Sequence, residues 1–428
     1  MKRVGGERAA GWLCALLCAI GACGGESSGG SGGEGGGTST EPAVCHNGIV
    51  EGDEACDSIL HDPCNGCNDD CSAPGSGPIC GDGHLCPGQE VCEDGNTFDG
   101  DYCSSSCKTP GFCQEDPSVT SVSAQTDVPE WADVVALCNL DVLVASKTDL
   151  AVLRFNVDVY GSDVTYPVGA SPTSMALDGI RGLLYVGVAS GPGLVRVSLV
   201  SGEVTPIPVN LPVLDVTVGD GEWVFASLDD PSVLPDRKVA LVNGVKGVVE
   251  EVVTGGLGAL LAYDHGGKQL LSADGGAAPG ELRRHAFDPA AKTLTLTQEV
   301  SGVGSGCHDL TISPDAQHLA LVCDGGNDGA NNVLDYDPAD LTHVKGQWAA
   351  MSSPLAVAFS PATDTVLVSS DGMVGTYGTT THELVRSLSS GGCFQLGKLA
   401  IAPAGRMYYG LNQCMFGGSY SMKYDWLN

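Results

Sequence analysis

The chain has 428 residues, 43% of them hydrophobic and only 6% aromatic, with 61 glycines, 19 cysteines and a formal net charge of −32. A surface this acidic, with no basic cluster to offset it locally, repels nucleic acid and anionic lipid and excludes both as charge-driven partners. Many Val, Leu and Thr residues among so much glycine point to short strands joined by tight turns.

Residues 1–22 have a basic start in Lys2, Arg3 and Arg8, then an apolar run from about Trp12 to Ala22. That is the layout of a signal peptide, and the run is shorter than the ~20 apolar residues a membrane-spanning helix needs. It ends in Ile20-Gly21-Ala22-Cys23, which resembles the bacterial lipobox and implies lipidation of Cys23; Cys14 and Cys18 each follow a bulky leucine. The other reading is an ordinary secretory leader in which Cys23 is incidental. Residues 23–42 continue as a Gly/Ser-rich linker with almost nothing to bury, a flexible tether of roughly 25 Å mean end-to-end length. No later segment offers 18 uninterrupted apolar residues, so the sequence predicts a chain anchored to the cell envelope by lipid, on the outer membrane, in a compartment where disulfides form.

Residues 43–114 form a cysteine-rich module, with eleven cysteines between Cys45 and Cys113. Two registers overlay: Cys45, Cys56, Cys67 and Cys71 have gaps of 11, 11 and 4, and Cys80, Cys92, Cys103 and Cys107 have gaps of 12, 11 and 4. The match is an internal repeat. "CHNGIVEGDEACD" and "CEDGNTFDGDYCSSSC" resemble the two halves of the disulfide-rich repeat of myxobacterial surface proteins, although the first copy lacks the acidic DGN segment and Cys64, Cys86 and Cys113 are additional. A segment so poor in large apolar residues needs covalent links to hold a fold. Zinc at Cys64-x-x-Cys67-x3-Cys71 is the alternative, but thiolate zinc sites belong to reducing compartments. Asp94, Asn96, Asp99 and Asp101 place oxygen ligands two or three residues apart and are a candidate calcium loop; without an EF-hand frame, the same residues also serve as turn formers.

From residue 115 to 428 the pattern changes. Tight turns inside successive apolar hairpins fall near Leu140, Gly179, Asp220, Gly266, Asp315, Ala362 and Ala404, spaced 39 to 49 residues apart. Each unit opens with a strand such as "TSMALD", "LDVTVG" or "KLAIAP" and returns in one such as "LLYVGVAS" or "DTVLVSS". Strands such as "LVRVSLV" and the alternating "KTLTLTQEV" follow, giving four strands in about 40 residues, the period of a β-propeller blade. The expected fold is therefore all-β: a seven-bladed β-propeller preceded by a small disulfide-rich module. The last unit stops after its third strand, and residues 115–129, which contain "SVTSVSAQT" from Ser118 to Thr126, are expected to supply the missing outer strand. Through "SPD" and "SPAT" turns after apolar inner strands, the units resemble surface-layer forty-residue repeats and lactonase-type propellers, a likeness that implies fold and leaves activity open.

Cys307 and Cys323 lie eight residues either side of Asp315, and Cys393 and Cys414 flank the turn of Ala402–Gly405 in the same way, so both pairs are expected to be cross-strand disulfides. Parity then leaves Cys138 to bridge the module to the propeller, most simply through Cys113.

No nucleophile elbow, zinc-protease, nucleotide-loop or dinucleotide motif occurs, and the nine histidines form no ligand-like pair. No catalytic residue is assigned. Propeller sites assemble from different blades around the central channel, so the places to look are Asp215, His308, Asp309 and Lys398, polar residues at or near the starts of inner strands. Each has a structural alternative: His308 and Asp309 as partners of neighbouring backbone, Asp215 and Lys398 as solvated side chains. The favoured function is a non-catalytic binding or scaffold protein that presents the propeller to a protein or glycan, with no cofactor beyond calcium. The rival is a hydrolase of lactonase type with its site at the channel.

Overall fold

The computed structural model describes residue 80, residues 89–92, 103–104, 106–108 and 110–112, and then 124–426, with breaks at 138–140, 157–160, 234–236, 255–256, 276–279, 326–331, 350–352, 362–363, 371–372, 390–394, 403–406 and 414–419. In the module, disulfides join Cys80 to Cys107 and Cys92 to Cys103, both within the second of the two cysteine registers. Cys92, Cys103 and Cys107 are buried against one another with Cys80 packed beside them, so the sulfurs themselves form the small core. Cys23, the first cysteine register, Cys64, Cys86, the candidate calcium loop Asp94–Asn96–Asp99–Asp101, and the Cys113, Cys138, Cys393 and Cys414 expectations lie outside the described residues.

Among the described residues, the remainder is a β-propeller of seven four-stranded antiparallel sheets, with one short 3-10 turn at Pro231–Val233. Strand β1 (Ala124–Val128) belongs to the last sheet. The first sheet is β2 (Trp131–Ala136), β3 (Asp141–Ser146), β4 (Ala151–Asn156) and β5 (Gly161–Pro167); the second is β6 (Pro172–Asp178), β7 (Leu183–Val188), β8 (Gly193–Ser198) and β9 (Val204–Pro208). The third is β10 (Val213–Val218), β11 (Trp223–Leu228), β12 (Lys238–Asn243) and β13 (Val248–Thr254); the fourth is β14 (Leu260–Asp264), β15 (Gln269–Ala273), β16 (Glu281–Asp288) and β17 (Thr293–Ser301). The fifth is β18 (Ser305–Ile312), β19 (Leu319–Gly325), β20 (Asn332–Asp337) and β21 (Asp340–Ala349); the sixth is β22 (Ala356–Phe359), β23 (Thr365–Ser370), β24 (Met373–Gly378) and β25 (Leu384–Ser389). The seventh is β26 (Gln395–Ile401), β27 (Met407–Gln413) and β28 (Tyr420–Trp426), completed on its outer edge by β1. Each turn expected from the sequence falls between the first two strands of its sheet.

Burial follows position. Second strands such as β3 are buried along their whole length, because both of their faces meet neighbouring sheets. Fourth strands such as β17 alternate between exposed and half-buried residues. The apolar core is divided into seven clusters, one between each pair of adjacent sheets, including Val134, Val144, Leu411 and Met422 between the first and the seventh. A fully buried Val or Leu contributes about 1.5–3 kcal/mol, so every interface between adjacent sheets adds to stability, the one between the first and second most and the one between the sixth and seventh least. Inner strands pack in succession, β2 on β6, β6 on β10, and onward to β26 on β2, which closes the ring around a channel.

Closure is completed by β1, whose residues Ala124 to Val128 pair with Tyr424 to Tyr420 of β28. This strand lies within the span 115–129 expected to close the ring, and the part of "SVTSVSAQT" before Ala124 lies outside the described residues. Earlier in the chain, Phe112 donates its backbone N–H to the Gly179 carbonyl and packs beside Gly182, docking the end of the module on the second sheet.

Candidate functional site

The seven inner strands share one equivalent position, occupied by Asp133, Ser174, Asp215, Leu260, Asp309, Ala356 and Lys398, and the five polar residues among these line the channel. Their equivalence shows in the hydrogen bonds. Asp133 Oδ2 accepts the Met175 N–H of the next sheet at 2.7 Å, Asp215 Oδ2 the Leu261 N–H at 2.8 Å, and Asp309 Oδ2 the Val357 N–H at 3.0 Å. Ser174 Oγ accepts the Val216 N–H at 3.1 Å in the same way, and donates to Asp215 Oδ1 at 2.7 Å. Each side chain pins the inner strand of its neighbour.

β-Bulges aim these side chains. The pairing of first and second strands shifts register at Trp131/Val134, Pro172/Ser174, Val213/Asp215, Cys307/Asp309 and Leu396/Leu399. In the two sheets whose equivalent residue is Leu260 or Ala356, the same pairing is regular. An extra residue re-aims the side chain that follows it, so the bulge appears where a polar group must reach across to the adjacent sheet.

Lys398 extends from the seventh sheet to the fifth, where its Nζ lies 2.8 Å from Asp309 Oδ1. Burial pushes its ammonium towards neutrality, but Asp309, Asp133 and Asp215 together outweigh that and raise its pKa, so it is held protonated. Burial pushes the Asp133 carboxyl up from 3.8 to about 6 against the opposing pull of Lys398, and raises Asp215 for the same reason. Three carboxylates facing one ammonium leave the ring short of positive charge. A cavity of about 290 Å³ runs along this wall, past Asp133, Ser174, Asp215, Asp309 and Lys398.

Of the four channel residues expected from sequence, Asp215, Asp309 and Lys398 are brought together, and neither Asp215 nor Lys398 is merely solvated. His308 is not part of the group: it occupies the bulge between Cys307 and Asp309 and does not line this cavity. The Cys307–Cys323 disulfide closes the first pairing of the fifth sheet, next to that bulge, as expected from the symmetry about Asp315. Asp133 and Ser174 were missed. The signal was present, since in all seven repeats this residue directly precedes an apolar residue of the inner strand: Val134, Met175, Val216, Leu261, Leu310, Val357 and Leu399.

Fold and channel together define a β-propeller with a charged ring on its inner strands. Among solved structures, hydrazine synthase from Kuenenia stuttgartiensis is similar, with a TM-score of 0.54 over 71% of this chain and 98% of that one. At 13% identity the likeness shows the fold alone. No protein-family model matches the sequence, and no curated protein matches it.

Proposed function

We propose that the chain is a lipid-anchored extracytoplasmic binding or scaffold protein of the myxobacterial surface type, whose disulfide-rich module carries a seven-bladed propeller for protein or glycan recognition. The observation that supports this reading is the commitment of the channel carboxylates to structure. Asp133, Asp215 and Asp309 each hold the backbone of the next sheet, and Lys398 is paired. Recognition then falls to the loops and turns around the ring, the usual place for function on a rigid scaffold.

Anchoring is tested by labelling cells with radioactive palmitate. The chain is expected to take up label and sediment with membranes, and Cys23→Ala to do neither; an unlabelled, soluble wild-type protein refutes the anchor. Recognition is tested by passing envelope extract over the immobilised full chain, with saturable retention of one protein or glycan expected.

The second reading is a lactonase-type hydrolase, favoured by the presence of four ionisable groups on one channel wall. Such chemistry wants a general base poised near neutrality. Asp133 has that titration range, but both of its oxygens accept backbone N–H groups and no histidine lines its cavity. Hydrolysis of simple aliphatic lactones, abolished in both Asp133→Asn and Lys398→Met, would favour the enzyme instead.

A further inference from the structure

On the face where each inner strand turns into the second, a cavity of about 380 Å³ opens between the third and fourth sheets, away from the charged ring. Its wall combines two chemistries. Trp223, Phe287 and Tyr263 supply aromatic surface, and Asp220, Glu222 and Asn243 supply fixed polar groups.

The aromatic side is braced from behind. Trp223 meets Phe287 edge-on at 5.2 Å, Phe287 meets Phe225 edge-on at 5.0 Å, and Phe225 stacks on Tyr263 at 5.2 Å. Three of these rings are buried, while Trp223 is half-buried and lines the cavity. The polar side is equally fixed. Asn243 donates from Nδ2 to Glu222 at 2.7 Å and accepts the Lys246 N–H at 2.9 Å; Asp220 is held by His265 at 2.8 Å and by the Tyr263 hydroxyl at 3.4 Å. Side chains locked by their neighbours lose little freedom when a ligand arrives, which is what a binding site requires.

The lining selects a ligand class. Asp220 and Glu222 disfavour an anion, and the Lys268 ammonium on the same wall disfavours a cation. A wholly apolar ligand would leave the carboxylates and the amide without partners. A neutral molecule with one apolar face and many hydroxyls satisfies both walls: the C–H face of a sugar ring lies against an aromatic ring, and its hydroxyls bond to carboxylate, amide and ammonium. We infer that the cavity between the third and fourth sheets is a saccharide subsite for neutral pyranose units of a glycan, with Trp223 as the stacking platform. This deepens the recognition reading proposed above and rests on it.

The test titrates cellobiose, maltose and N,N′-diacetylchitobiose into the full chain, reading tryptophan fluorescence and saturation-transfer NMR. At least one is expected to give a saturable signal, weakened about tenfold in Trp223→Ala, the scale of one lost aromatic anchor. Lys268→Ala, at an exposed position, is expected to weaken it severalfold. Binding by none of the three overturns the subsite, as does binding that survives both substitutions unchanged, or a signal with tetramethylammonium in place of the sugars. Retention of an envelope protein by the chain in any of those cases leaves the recognition reading standing, whereas absence of any retained protein or glycan removes that reading as well.

Discussion

Lys398 Nζ lies 2.8 Å from Asp309 Oδ1, and this contact joins the last sheet of the propeller to the fifth, bypassing the sixth. The residue at the equivalent place in the sixth sheet is Ala356, which has nothing to offer the channel.

Removing that ammonium leaves three carboxylates, each still bonded to backbone, without the positive charge that Lys398 supplies beside them. Lys398→Met is expected to destabilise the fold by about 2 kcal/mol at neutral pH, between the scales for exposed and for buried ion pairs, since the pair is partly solvated. The loss should shrink as pH falls, because protonating the carboxylates relieves their repulsion. Urea midpoints at pH 7.5 and pH 5 measure it, and an equal loss at both would contradict the electrostatic account.

Asp133 carries a pH dependence of its own. Its folded pKa of about 6 exceeds the ordinary 3.8, so folding takes up a proton between those values. The stability this group contributes is present at low pH and is lost as pH rises through about 6. Asp133→Asn stays neutral throughout, so the variant is expected to be costlier at pH 5 than at pH 7.5 when compared with wild type. A difference profile that is flat across pH 5–7.5 would count against the raised pKa.

The Cys307–Cys323 bridge closes a loop of 16 residues beside the bulge that aims Asp309. Replacing both cysteines with serine is expected to cost about 3 kcal/mol by the chain-entropy relation for a loop of that length. Guanidinium unfolding of the double variant reads the loss directly, and mass mapping of the wild-type protein without reductant should recover the two cysteine peptides linked.

Between the fifth and sixth sheets, Asp335 is fully buried and its Oδ2 accepts from both His318 Nδ1 and His382 Nε2, each at 2.8 Å. Asp335→Ala leaves both imidazole nitrogens without that acceptor and is expected to cost about 2–4 kcal/mol, the penalty for unmaking one buried and one partly buried hydrogen bond. Removing only the second partner through His382→Ala should cost less. Thermal melts of the two variants decide the order.

The edge closed by β1 gives a solution-state prediction. Deleting Ala124–Val128 exposes the unpaired backbone of β28, a ready template for another strand. Size-exclusion chromatography should show the deletion variant shifting to dimers and larger species while the parent protein does not.

Local pattern was enough for much of this. A turn every 39 to 49 residues, with apolar strands on either side, specified the repeating four-stranded unit because strand, turn and return are short-range events. The Cys307–Cys323 bridge was legible for the same reason, since symmetry about one turn fixes which residues face each other. Asp215, Asp309 and Lys398 stood out as charges at the starts of apolar strands.

Which charges would meet was decided only by closing the ring. Asp133 and Lys398 are 265 residues apart in sequence, yet their sheets are neighbours once β26 packs on β2. The bulges that separate Asp309 from His308, sending one to the channel and not the other, depend on pairing with a second strand and leave no mark in the order of residues. The aromatic and polar walls around Trp223 likewise come from two repeats, each unremarkable alone, and face one another only because adjacent sheets pack face to face.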